Sequence, residues 1–130
     1  MTTIENELAR ILGRYAQLRL ALLFGSQATG DAGPESDIDL GLLADNRISA
    51  SFKLELMEDI GLQLGRPVDI VDLFDAAEPV LGQALKGIRL LGDNPTHARL
   101  LTRHLINSAD FMPLQQRILD DRRATWTNSS

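Results

Sequence analysis

The chain has 130 residues, 44% hydrophobic and 24% charged, with a net charge of -5 and no cysteine. That length closes one domain around a real core and leaves no room for two. The missing cysteines exclude a disulfide framework and a thiolate zinc site, and the acidic balance argues against a duplex nucleic-acid binder, whose affinity comes largely from neutralising phosphates. No apolar run reaches bilayer-spanning length, and the first residues, MTTIENELAR, lack a signal-peptide profile, so a cytoplasmic protein is expected.

In chain order, residues 2–17 read as a helix. Ile4, Leu8, Ile11, Leu12 and Tyr15 recur at helical spacing, and Thr2 with Glu5 has capping-box form. Leu18 to Phe24 is a strand whose almost continuous apolar character predicts a central position covered on both faces, with Arg19 at its entrance. Gly25 to Ser36 is a loop rich in glycine and small polar residues, the chemistry of turns and of close backbone approach to a ligand. Asp37 to Leu43 is a second strand. The short helix-free connection predicts an antiparallel or mixed relation to the first.

Ser51 to Gly65 reads as a second helix, with Phe52, Leu56, Ile60 and Leu64 spaced by four and Gly65 as its C-terminal cap. Val68 to Leu73 is a third strand. Ala77 to Lys86 is a short helix with Pro79 in its first turn, and Ile88 to Leu91 is a brief extended piece. Asp93-Asn94-Pro95 starts a helix that runs to about Phe111. Pro113 breaks it, and a last helix runs to about Arg123. The order predicts an α+β (α/β) fold, a small mixed sheet flanked by helices, as one domain over residues 1–125 with residues 126–130 as a frayed tail.

The chemistry is concentrated between Gly25 and Asp69. Gly25-Ser26 ends the first strand, ten residues follow, and then Asp37-Ile38-Asp39 opens the second. Alternation along a strand sends Asp37 and Asp39 to one face and Ile38, Leu40 and Leu42 to the other. Paired carboxylates on one sheet face repel, and a divalent cation of the magnesium kind relieves them. Gly25-Ser26 supplies backbone N–H groups and a hydroxyl for phosphate oxygens. Asp69, mid-strand downstream, is the preferred third carboxylate over Asp72 near the strand's end. Arg47, Lys53 and Lys86 are the cations open to a triphosphate. Arg99 and Arg103 join Arg117, Arg122 and Arg123 in a basic last third, read as a solvated helix face ahead of a docking face for an acidic partner.

Gly25, Ser26, Asp37 and Asp39, with Val68-Asp69-Ile70 downstream, resemble the signature of the DNA polymerase β-like nucleotidyltransferase superfamily. The chain's length and layout are similar to its minimal nucleotidyltransferase (MNT) branch. The resemblance implies a polymerase β-like fold with Asp37, Asp39 and Asp69 as catalytic magnesium ligands and Gly25-Ser26 as the nucleotide-phosphate contact. It further implies an antitoxin that moves AMP from ATP onto a tyrosine of a partner HEPN-domain RNase toxin, with no direct nucleic-acid or membrane partner. The alternatives are a nucleotidyltransferase acting on a small, aminoglycoside-like acceptor, which would be expected to need a further substrate domain or a homodimer cleft, and a non-catalytic binding antitoxin. Arg99 and His104 have the R-x4-H spacing of the HEPN RNase motif itself. With Ile106 where that motif has tyrosine, they read as ordinary helix residues.

Overall fold

The structure is a computed structural model and describes residues 3–25, 28 and 37–110. The elements are α1 (Thr3–Leu12), β1 (Leu18–Phe24), β2 (Ile38–Ala44), α2 (Ala50–Leu64), β3 (Val68–Asp72), α3 (Val80–Leu85), β4 (Ile88–Leu91) and α4 (Asn94–Asp110). The strands form one sheet in the order β3-β2-β1-β4. β1 is antiparallel to both β2 and β4, and β2 is parallel to β3. The sheet is therefore mixed, as the short β1–β2 connection and the α2 crossover between β2 and β3 require.

β1 sits inside the sheet and is buried on both faces. Ala21 and Leu23 join Ile38, Leu40, Leu42, Val68 and Ile70 under α1 and α2, where Leu8, Ile11, Leu12, Leu56 and Ile60 close the larger core. Leu20 and Leu22 point the other way, into a smaller core with Leu73, Leu81, Ala84 and Leu100 from the α3 and α4 side. The period-two alternation of β1 thus feeds two helical layers. Arg19 stays outside, forking onto Asp45 with hydrogen bonds of 2.7 and 3.0 Å.

Boundaries move where local chemistry outweighs the apolar pattern. α1 ends at Leu12, short of the expected Gln17. Arg14 N–H and Tyr15 N–H reach back only three residues, to the carbonyls of Ile11 and Leu12, which tightens the chain out of the helix beyond Gly13. Tyr15 then packs on Phe52 with ring centroids 5.7 Å apart, and its hydroxyl donates to Asp59. Burial and that carboxylate push the Tyr15 phenol up to about 12.

α2 begins one residue early because Ser49 Oγ accepts the Phe52 N–H at 3.1 Å. It ends as expected on Gly65, whose left-handed φ of 65° lets its N–H reach Gly61 O. α3 starts at Val80, after Pro79, instead of Ala77. α4 starts where the sequence places it, with Asp93 Oδ1 accepting the Thr96 N–H at 2.9 Å. Among the described residues, no helix is long and apolar enough to cross a membrane. Thr2 of the expected capping box, the Pro113 break, the expected last helix with Arg117, Arg122 and Arg123, and the 126–130 tail lie outside the described residues.

Candidate active site

The sheet register builds the site. Phe24, the last residue of β1, is opposite Asp39, and Asp39 is opposite Asp69 on β3. The two carboxylates therefore stand on neighbouring strands in one row across the sheet, a spacing of about 4.8 Å. Ile38, Leu40 and Leu42 face the larger core. The other face of β2 meets α3, since a Cβ placed on Gly41 would touch Leu73 and Ala84. Asp39 shares that second face, as the alternation of the sequence predicts.

β2 begins at Ile38, so Asp37 stands just before the strand, exposed, instead of within it. Its charge still reaches the site. The Asp39 carboxyl is held above the usual carboxylate range, first by burial, then by Asp69, then by Asp37. Like charges about 5 Å apart repel by roughly 1–3 kcal/mol between water-like and surface-like dielectrics. Among the described residues no three acidic or histidine side chains are already drawn into a metal-sized cluster. The carboxylates are coupled through their charges but spread.

Gly25 turns the chain immediately beside them. Its φ of 73° lies in the left-handed region. A Cβ added there would collide with Asp39 Oδ2, so the bare α-carbon makes the space the carboxylate occupies. Ser26 lies outside the described residues. A cavity of about 500 Å³ opens on this spot, lined by Gly25, Asp39 and Asp69, the apolar side chains of Phe24, Val71 and Val80, and Gln83, Lys86 and Gly87.

Of the cations open to a triphosphate, Lys86 lines this cavity. Arg47 instead pairs with Asp75 at 3.1 Å, and Lys53 on α2 lines none of it. Asp72 is occupied structurally. Its Oδ2 accepts the Ile48 N–H at 2.8 Å and its Oδ1 the Phe74 N–H at 3.0 Å, tying the loop before α2 and the turn after β3 to the end of β3. Gln83, Val71 and Val80 were not singled out by sequence reasoning. Val80 and Gln83 lie three apart on α3 and Lys86 is its C-terminal cap, a run too short for the helical period to single them out.

A larger cavity, about 620 Å³, lies at the opposite end of the strands between Arg19, Asp45, Asp93, Thr96, Arg99 and Arg103. It holds none of the predicted site residues. Arg103 is spent on the carbonyls of Leu73 and Phe74. Arg99 lines that cavity, whereas His104 Nδ1 contacts Glu78 Oε1 at 2.7 Å. The R-x4-H pair is therefore divided between two unrelated environments and makes no site.

Residues 6–96 match the family described as polymerase beta, nucleotidyltransferase. The chain belongs to that family. It is similar to the protein adenylyltransferase MntA of Shewanella oneidensis, with 28% identity over 119 residues, covering 90% of this chain and 86% of the relative. Among solved structures it resembles a toxin–antitoxin crystal structure with AMP-PNP, with a TM-score of 0.76 and 27% identity over 92% of this chain and 98% of the other. A MntA-HepT toxin–antitoxin structure aligns with a TM-score of 0.70 and 25% identity, over 93% of this chain and 97% of the other. The mixed sheet with flanking helices is the fold of this nucleotidyltransferase family.

Proposed function

We propose that this chain is a magnesium-dependent protein adenylyltransferase that works as the antitoxin of a toxin–antitoxin pair, moving AMP from ATP onto a tyrosine of a HEPN-domain RNase toxin in the cytoplasm. The observation that carries the reading is the Asp39–Asp69 row against Gly25 at the mouth of one cavity. The relatives supply the class: one is named a protein adenylyltransferase, and another is a toxin–antitoxin complex with AMP-PNP.

The donor set suits magnesium, being all carboxylate oxygen and mutually repulsive enough to hold the Asp39 carboxyl above its usual range. Asp37, Asp39 and Asp69 would hold it, and when bound it would neutralise charge on the phosphate oxygens. Gly25, with Ser26 beside it, presents backbone donors to the polyphosphate. Phe24, Val71 and Val80 give the cavity an apolar wall suited to the flat face of a base. The tyrosine oxygen bonds to the α-phosphorus, the bond from that phosphorus to the bridging oxygen breaks, and pyrophosphate leaves. Asp69, exposed on the open side, takes the phenolic proton.

Incubating the chain with the partner toxin, ATP and magnesium, then weighing the toxin, tests this. The toxin should gain whole adenylyl groups, and Asp37→Ala with Asp39→Ala should abolish the gain. Labelling of a small aminoglycoside-like acceptor without any partner would favour the small-molecule enzyme. Neutralisation that survives both substitutions would favour a purely binding antitoxin.

The same assay separates the two strand carboxylates. Asp69→Ala should lower transfer by about 100-fold or more with little change in stability. Asp72→Ala should leave transfer within about threefold and cost about 1–3 kcal/mol in urea unfolding, because two backbone N–H groups lose their acceptor.

A further inference from the structure

We propose that Lys86 is the cation that holds the polyphosphate chain of the nucleotide, an inference that rests on the nucleotidyltransferase reading above. Lys86 lines the cavity of Asp39 and Asp69 immediately after α3. Its backbone is fixed there by packing on both sides. Leu81 and Ala84 anchor α3 in the smaller core. Gly87 presses so closely on β1 that an added Cβ would collide with the Leu23 carbonyl. The lysine side chain itself remains exposed and, among the described residues, forms no ion pair.

The charge balance favours such a group. A nucleoside triphosphate is highly anionic, and the cavity wall carries Asp39 and Asp69 with Asp37 close enough to be felt. The Gly25–Ser36 loop contains no lysine or arginine. Arg66, just before β3, does not line the cavity, and four further arginines are committed elsewhere in the fold. Arg19 is paired with Asp45 and Arg47 with Asp75. Arg89 donates to Asn94 at 2.9 Å, and Arg103 donates to backbone carbonyls. Lys86 is the one lysine or arginine among the residues lining the cavity. A lysine ammonium binds phosphate as a flexible point charge, so it can follow a polyphosphate without a rigid fork.

Titration calorimetry with magnesium and AMP-PNP, and separately with AMP, tests the assignment without turnover. Lys86→Ala should weaken AMP-PNP binding by about 10- to 100-fold, the usual range for one lost charge-assisted contact. AMP binding should change by less than about threefold, and Lys86→Arg should keep most of the affinity for AMP-PNP. Unchanged AMP-PNP binding in Lys86→Ala, or an equal loss for AMP and AMP-PNP, overturns the role of Lys86 and leaves the nucleotidyltransferase reading standing. Wild-type protein that fails to bind AMP-PNP overturns both.

Discussion

Asp39→Asn should lose nucleotidyl transfer by about 1,000-fold and yet melt at a higher temperature than wild type in metal-free buffer at neutral pH. The carboxyl of Asp39 is held above its ordinary range by burial and by two neighbouring carboxylates. A group with a raised folded pKa binds its proton more tightly when folded than when unfolded. Its favourable contribution is complete below the unfolded value of about 3.9 and is lost as pH rises through the folded one. At neutral pH the charged Asp39 therefore works against the fold. Asparagine keeps the shape and removes the charge. Solvent screens a part-exposed carboxylate, so the gain is modest, about 1–3 °C in Tm. The difference should shrink toward zero as pH falls below about 4.

Magnesium with AMP-PNP should reverse the order. Ligand that binds only the folded state raises the wild-type Tm by mass action, and the variant should respond far less. A stability given up for a working charge is the usual trade at an active site. An Asp39→Asn protein that melts below wild type at neutral pH without metal would mean that the carboxylate is a structural group. A variant that keeps transfer would remove Asp39 from the chemistry.

The layout of this site was legible in the sequence because one rule governs most of it. A strand that alternates Ile38, Leu40 and Leu42 with Asp39 has to bury the leucine face and present the aspartate on the other. The apolar run from Leu20 to Leu23 could only be a strand between two layers, and both cores use it. The choice of Asp69 over Asp72 rested on mid-strand position. The register sets Asp69 opposite Asp39, while Asp72 accepts from two backbone amides.

What the sequence hid was contact between distant segments. Nothing local says that α3 closes the cavity, because a six-residue helix shows too little periodicity to fix which face turns inward. Arg47 and Lys86 are equivalent cations in the sequence, but the fold pairs Arg47 with Asp75 and sets Lys86 on the cavity that Asp39 and Asp69 also line. The end of α1 was misplaced because Tyr15 continues the apolar spacing, although it is used outside the helix to pack on Phe52.

Gly25→Ala is the second large effect, and Gly65→Ala is its control. Both glycines hold left-handed backbone, with φ of 73° and 65°. An alanine at either position costs about 1–2 kcal/mol from the backbone alone, so both variants should melt several degrees lower. They differ in what the new methyl group meets. At Gly65 nothing lies within 4 Å, whereas at Gly25 the methyl runs into the Asp39 carboxylate. That carboxylate is the end of a side chain that can rotate, so the fold survives and Asp39 swings out of its row with Asp69. Misplacing a reacting group by about 1 Å can cost about 100-fold in rate. Gly25→Ala should therefore lose transfer by about 100-fold or more, while Gly65→Ala, equally strained, keeps it within about twofold below its melting range. Equal losses of transfer in the two variants would trace the effect to general destabilisation. Full transfer in Gly25→Ala would show that the close approach of backbone and carboxylate has no part in the reaction.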